Sequence, residues 1–430
     1  MPQNAGYPLA YAVSTILFQH LSLQKSCASA GLFRLRRHLQ QASPFMNSGL
    51  KIGILGTRGI PNAYGGFEQF AEYLSAALVK KGHHVSVYNS SDHPYQRSEW
   101  NGVQIIHCRD WEKKIGTAGQ FLYDFNCFSD ARKRDFDILL QLGYTSSSLW
   151  YFRWPKNMIQ IVNMDGLEWK RTKYGKWTRK FLKYAESIAA KHADLLVADS
   201  VGIQEYLLTA YHKHSVYIPY GANVVDDPKE RFLKNYGLQA GQYLLVIARI
   251  EPENNVEMII KGYLKSAQKE PLVIVGNPQN AFGTYLRTTY PSENIKYIGA
   301  IYQLGVINAL RYYARVYFHG HSVGGTNPSL LEAMGCGCNI AAHDNPFNKA
   351  ILTDSALYFA RAEEICALID KEENDHAIQT RKTRNIEKVR SLYSWPKIID
   401  AYESLFLEAI AKTGKAGKNK NRGKINTPVL

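Results

Sequence analysis

From Leu50 onward, short apolar runs alternate with amphipathic stretches along nearly the whole chain. LKIGIL (50–55) reads as a strand, and FEQFAEYLSAALVKKG (67–82), with apolar positions three and four apart, predicts a helix ending at Gly82. HHVSVYN (83–89), VQIIHC (103–108), DILLQLG (137–143), MIQIVNM (158–164) and DLLVADS (194–200) continue as strands. Proline, glycine and acidic residues then collect into a linker at 218–230. A second series follows: strand YLLVIAR (243–249), helix VEMIIKGYLKSAQ (256–268), strands PLVIVG (271–276), IKYIG (295–299) and ARVYFHG (314–320), and helix NPSLLEAMGCG (327–337). NIAAHD and ALYF add strands, and SWPKIIDAYESLFLEAI (394–410) is a last helix. Strands separated by helices predict parallel sheets covered on both faces. The expected fold class is α/β, two doubly wound Rossmann-like domains facing across a cleft, with ligands at the carboxyl ends of the strands. No internal repeat interrupts this order.

The 430 residues exceed one ordinary core, which agrees with two domains. A hydrophobic content of 45% with 21% charged residues describes a globular enzyme rather than a disordered or fibrous chain. No apolar run reaches the roughly 18 residues of a spanning helix. YPLAYAVSTILF, from Tyr7, lacks a basic segment before it, so no signal peptide is expected and the cytoplasm is the default compartment. The six cysteines lack zinc or disulfide spacing and are expected to be small buried thiols. Of the net charge of +15, ten units come from residues 1–45 and 411–430, which hold no acids. Residues 1–45 read as a disordered extension, with Met46 a candidate start, and 411–430 as a disordered basic tail.

Candidate chemistry begins after the first strand. Gly53, Gly56, Gly59, Gly65 and Gly66 fall within fourteen residues, between a strand and a helix, where a phosphate can meet free amides. The spacing G-x-x-G-x-x-G is not the dinucleotide fingerprint, and the second strand ends in Asn89 rather than an acid, which argues against a nicotinamide enzyme. In VIARIEPENN, Arg249 is expected to end a buried strand, where a planar guanidinium suits a phosphate. In HGHSVGGTNPSLLEAMGCG, Asn327, Pro328 and Ser329 open a helix, and Glu332 one turn in can accept bonds from sugar hydroxyls.

GTRGIPNAYGGFE, NMDGLEWKRTKYGKW, ARIEPENN and HGHSVGGTNPSLLEAM resemble the GT-B glycosyltransferases of family 4, and within them the rhamnosyltransferase-like bacterial subgroup. The resemblance covers roughly Leu50 to Ile410 and implies a first, acceptor domain over 46–225 and a donor domain over 226–392. It also implies a final helix, 393–410, that returns to the first domain. The implied reaction is a retaining transfer of a sugar from a nucleoside-diphosphate donor, with no metal ion. By position, Arg249 would neutralise the diphosphate as it leaves and Glu332 would hold the nucleoside hydroxyls. Gly65, Gly66, Asn254, Gly325 and the amides from Thr326 through Asn327 and Ser329 to Leu330 would complete the donor site. Asp165 and His321 would touch the transferred sugar, and Glu68, Asp165 and Glu168 would face the acceptor. Three positions depart from the family pattern: Asn254 stands where lysine is usual, Gly324 where glutamate is, and Asn163 and Asp165 where a histidine is. These changes argue for a different donor sugar, of which L-rhamnose, carried as dTDP-rhamnose, is the expectation. No general base is assigned.

EWKRTKYGKWTRKFLKYAE (168–186) interleaves seven basic residues with aromatics, the pattern of a helix lying on an anionic membrane. Trp169, Lys173, Lys176, Trp177 and Lys180 are its expected contacts, and no nucleic-acid reader motif accompanies it. The expected protein is a cytoplasmic enzyme, peripheral on the inner membrane face, acting on a lipid-linked saccharide in surface polysaccharide synthesis. A nucleotide-sugar 2-epimerase or a non-enzymatic sugar-nucleotide scaffold are the alternatives.

Overall fold

The computed structural model describes residues 49–171, 174–268 and 270–413. The expected extension, Met46, Lys173 and the basic tail past Thr413 lie outside them. The described residues from Leu50 onward belong to one compact unit.

The chain enters on β1 (Lys51–Leu55), whose Gly53 lets it pack tightly: a Cβ there would lie 2.8 Å from Leu139. Helix α1 (Gly66–Lys80) follows, burying Phe70, Ala71, Leu74, Ser75 and Leu78 along one stripe. Its Glu68 and Lys80 sit at the ends that the helix dipole favours. Then come β2 (His84–Ser90), β3 (Glu99–Trp100), β4 (Val103–Cys108), β5 (Ile138–Leu142) and β6 (Ile159–Asn163). Helix α2 (Lys176–His192), β7 (Leu195–Ala198) and β8 (Val216–Tyr217) complete the first domain. The sheet order is β3-β4-β2-β1-β5-β6-β7-β8, parallel except for the β3–β4 edge pair. The two-residue strands β3 and β8 escape a periodicity reading because they are too short to show a period.

The second domain runs through β9 (Leu244–Ile247), α3 (Val256–Lys265), β10 (Leu272–Val275), β11 (Ile295–Gly299) and β12 (Val316–His319). It closes with α4 (Pro328–Gly335), β13 (Ile340–His343) and β14 (Leu357–Phe359). Its sheet, β11-β10-β9-β12-β13-β14, is the doubly wound order, reversing between β9 and β12. The first sheet reverses likewise between β1 and β5. The loops beyond these two switch points meet in the cleft. The α/β fold expected from the alternating pattern is the one observed.

Helix α5 (Trp395–Thr413) crosses back over the first domain. Trp395 stacks on Tyr73 of α1, rings 4.4 Å apart and 4° from parallel, and Phe70 meets both Trp395 and Tyr402. Asn163 Nδ2 donates to Tyr402 Oη at 3.1 Å, and Lys81 pairs with Asp400 and Glu403. The outgoing crossover touches the returning one, for Ala222 N–H donates to Tyr393 O at 2.8 Å.

Truncating Trp395 therefore removes the stack, a buried indole and the seat of α5 together. Trp395→Ala is expected to destabilise the protein by about 3 to 5 kcal/mol, seen as a lower calorimetric midpoint that Trp395→Phe largely restores. An unchanged midpoint in the alanine variant would refute this docking.

Candidate functional site

The loop between β1 and α1 is shaped by two glycines. Gly56 has φ +93° and Gly59 φ +127°, and a Cβ at Gly56 would lie 2.2 Å from Leu142 O. Asn89, standing where a ribose-binding acid would be sought, braces this loop: its Oδ1 accepts from Ile60 N–H at 3.0 Å and its Nδ2 donates to Ile60 O at 2.8 Å. Glu68 departs from its expected acceptor role. It is buried and its Oε1 accepts from Arg58 N–H at 2.9 Å, because a carboxylate in the first helical turn is drawn to nearby free amides. Arg58 in turn forks onto Glu112 at 2.9 and 2.6 Å and lies over the Tyr64 ring. Gly65 caps α1 with extended backbone and no side-chain bond, leaving first-turn N–H groups open. A Cβ on Gly66 would lie 3.4 Å from Pro328 Cγ, so the starts of α1 and α4 face each other across the cleft.

In the second domain Arg249 does not end a buried strand. β9 stops at Ile247, and Arg249 is exposed in the loop beyond it. Ala248 N–H still donates to Val275 O at 3.1 Å, and Gly276 leaves room for Ala248 O, which a Cβ there would meet at 2.2 Å. Asn254 is buried and fastens this loop rather than reaching for a ligand: its Nδ2 donates to Arg249 O at 2.7 Å. His321 stacks on His319 with centroids 4.5 Å apart, and its carbonyl accepts from Asn345 and Asn348. Burial and the nearby Arg249 and Arg171 push its imidazole down to about 3, so it is neutral at physiological pH.

Much of the expected amide cradle is already engaged. Asp199 of the first domain accepts from Thr326 N–H at 3.1 Å, and Asn327 Oδ1 caps α4 by accepting from Ser329 N–H at 2.9 Å. Leu330 is fully buried and its N–H donates to Asn327 O, while Ser329 Oγ bonds inward to Tyr317 and Arg311. Gly325 has no room for a side chain, since a Cβ would meet Asp199 Oδ1 at 2.0 Å. Thr326, Ser329 and Leu330 thus hold the loop in place. Glu332 does face the cleft: Gln69 of α1 donates to it at 2.7 Å. Arg311, 2% exposed and not anticipated from sequence, pairs with it from below at 2.5 Å. The groove continues past Glu332 between Tyr73, Asn223, Asn308 and Trp395.

Asp165 lies just beyond β6 with φ +36°, its N–H bonded to Asn163 Oδ1 at 3.0 Å. Burial first, then Glu168, push its carboxyl up to about 6, against the pull of Arg171 and Arg249. Glu168 is taken: its Oε1 accepts Arg171 Nε at 2.8 Å and Nη2 at 2.6 Å. The helix expected over 168–186 is broken into a turn at Glu168–Lys170 and α2. Trp169 is therefore not an exposed membrane contact. Its Nε1 donates at 3.1 Å to the buried carboxylate of Glu186, which also accepts from Tyr144, Lys183, Tyr206 and Tyr211. Trp177 is 80% exposed, with Lys180 over its ring, and Lys176 and Tyr184 are exposed beside it. Among the described residues no helix is long and apolar enough to cross a membrane, and no group of three or more His, Cys, Asp or Glu is placed to hold a metal ion.

Because the folded state raises the Asp165 carboxyl from 3.8 to about 6, it binds that proton better than the unfolded chain. The stability this contributes is complete below the unfolded value and is lost as pH rises through about 6. Asp165→Asn should consequently gain melting temperature over wild type as pH rises from about 4 to about 7. A difference that stays constant over that range would contradict the placement.

Residues 229–389 match the model described as glycosyl transferases group 1, and residues 50–223 match a domain of unknown function, DUF1972. No curated protein matches the chain. Among solved structures, sucrose-phosphate synthase from Thermosynechococcus elongatus superposes with a TM-score of 0.70 at 18% identity, covering 84% of this chain and 99% of that one. HepE of Anabaena, in complex with UDP and glucose, superposes at 0.68 with 13% identity, covering 84% and 100%. An α,α-trehalose 6-phosphate synthase from Burkholderia multivorans gives 0.63 at 10% identity, covering 87% and 100%. At such identities the likeness is one of fold. The two sheets and their shared cleft are those of the GT-B fold, and residues 229–389 are similar to a glycosyl transferases group 1 domain.

Proposed function

We propose that this protein is a retaining glycosyltransferase that moves L-rhamnose from dTDP-rhamnose to a lipid-linked saccharide in surface polysaccharide synthesis. The observation that carries the reading is the approach of the starts of α1 and α4 across the cleft, a Cβ on Gly66 standing 3.4 Å from Pro328 Cγ and Gln69 donating to Glu332 at 2.7 Å. The Arg249 charge bears on both the Asp165 carboxyl and the His321 ring, although they come from different domains. An arginine with no side-chain bond of its own among the described residues, at the switch point of a doubly wound sheet, is placed to take the charge that builds on a departing diphosphate. HepE holds UDP and glucose in this fold, which supports a nucleotide sugar as donor. In this reading Glu332, steadied by Arg311, accepts from the nucleoside hydroxyls, and neutral His321 offers a hydrogen bond to the transferred sugar. Asp165, its carboxyl raised to about 6, is mostly ionised at pH 7 and in this reading orients the sugar or the incoming hydroxyl. Front-face departure, in which a phosphate oxygen takes the acceptor proton, needs no further base and no metal ion.

The lipid-linked acceptor and the peripheral position on the inner membrane face rest on Trp177, Lys176 and Lys180, an exposed indole flanked by ammonium groups.

Melting temperature with dTDP-rhamnose, UDP-glucose, UDP-N-acetylglucosamine and GDP-mannose tests the donor, because a ligand of the folded state alone must raise it. A rise with dTDP-rhamnose that Arg249→Ala abolishes is the expected result. A rise with another donor discards rhamnose, and no rise with any discards the transferase. For the membrane, Lys176→Gln/Lys180→Gln should lose flotation with vesicles containing anionic lipid, and undiminished flotation would reject that surface.

A further inference from the structure

One cation is unaccounted for. The segment after β6 carries Arg171 into the cleft, where its side chain is 15% exposed. The segment is held from behind by the Glu186 cluster, to which Trp169 is bonded, and by Arg179 Nε donating to Arg171 O at 3.2 Å. From there the guanidinium reaches the other domain. Its Nη1 stands 3.6 Å from Glu253 Oε1, on the turn Pro252–Asn254. That distance is an ion pair but exceeds a hydrogen bond. Of the five N–H donors, Nε and one on Nη2 engage Glu168, so those on Nη1 are unclaimed. Glu253 is equally unsatisfied, since both its oxygens are buried without a hydrogen-bond partner.

The turn that Arg171 approaches is tied to the donor-side residues on both flanks. Asn254, next to Glu253, holds the Arg249 carbonyl, and Ser322, next to His321, donates to Glu253 O from N–H and Oγ at 3.1 and 2.7 Å. Arg171 therefore stands on the first-domain side of the same small volume that Arg249 and His321 border from the second. A diphosphate ester carries two negative charges and gains more as it leaves, and a single fork matches one phosphate. We propose that Arg171 is a second ligand of the donor diphosphate, reaching it from the first domain opposite Arg249. The proposal rests on the nucleoside-diphosphate reading above and adds a residue to it. Glu253 competes with the diphosphate for Arg171, and yields it to the ligand.

Calorimetric titration of UDP, dTDP, UMP and dTMP into wild type, Arg171→Gln, Glu253→Gln and Arg249→Ala tests this. Wild type should prefer diphosphates to monophosphates, and Arg171→Gln should weaken diphosphate binding by about tenfold while monophosphate affinity is unchanged. Glu253→Gln, which frees Arg171 from its competitor, should tighten diphosphate binding, an outcome a purely structural ion pair would not give. Diphosphate affinity unaltered by Arg171→Gln, or an equal loss for both nucleotide classes, would overturn the proposal. With Arg249→Ala impaired, either of those outcomes leaves the nucleotide-sugar reading standing. If Arg171→Gln does not fold, the Glu253→Gln arm decides, and unchanged or weaker diphosphate binding there overturns the proposal. Wild type that takes up neither diphosphate removes the underlying reading as well.

Discussion

Backbone meets backbone across the cleft at Gly166 and Gly324, and the site depends on that contact. A Cβ on Gly166 would lie 2.8 Å from Gly324 Cα, and one on Gly325 would collide with Asp199. Close-packed interiors have no slack to absorb such atoms, so any side chain at these positions wedges the domains apart. With the glycines in contact, Asp199 can accept from Thr326 N–H, Gln69 can donate to Glu332, and Arg171 can approach Glu253. Each of these joins one domain to the other. Burial and the neighbouring Asp165 raise the Asp199 carboxyl well above its usual range, which fits a group sealed between two surfaces.

Two buried ionic centres do the corresponding work within each domain. In the first, Glu186 gathers three tyrosines, an indole and an ammonium group, and so fixes the segment that presents Asp165 and Arg171. In the second, Arg311 lies under α4 and joins Ser329 to Glu332. A buried charge without partners is strongly unfavourable, and removing one member of such a pair leaves the other uncompensated. The groups facing the cleft are therefore held by groups that never reach it.

How much of this could be read from the chain follows from the range of each interaction. All the strands but β3 and β8, together with α1, α3, α4 and α5, were legible because burial imposes a period on consecutive residues. The glycines before α1 were legible as a close-approach loop, since positive φ at Gly56 and Gly59 is a local demand. Glu332 was legible as a cleft residue one turn into its helix, whereas Arg249, read as the end of a buried strand, lies exposed in the loop beyond Ile247. What escaped depends on partners far along the chain. Trp169 looked interfacial until Glu186, Tyr206 and Tyr211 folded around it. Thr326 looked free until Asp199, 127 residues earlier, accepted its N–H. Arg171 looked like one more base in a basic run, because a run of seven cations does not reveal which one turns inward toward an acid such as Glu253. Arg311 offered no local signal, lying in a helix whose other buried residues are apolar.

Asn254, too, acts at one remove from the cleft. As a neutral amide it cannot offset phosphate charge, yet its bond to the Arg249 carbonyl fixes the loop from which that guanidinium projects. Positive charge at the cleft then comes from arginines, whose planar forks pair two oxygens and stay ionised whatever their burial. With one fork on each domain, an anion between them becomes a bridge. Its binding energy favours the closed arrangement by the difference in its affinity for the closed and open forms. A cleft whose two cations belonged to one domain would bind the same anion without that bias. In the reading proposed above, the division of charge between Arg249 and Arg171 couples diphosphate binding to the contact at Gly166 and Gly324, because the bridge forms only where that contact is made.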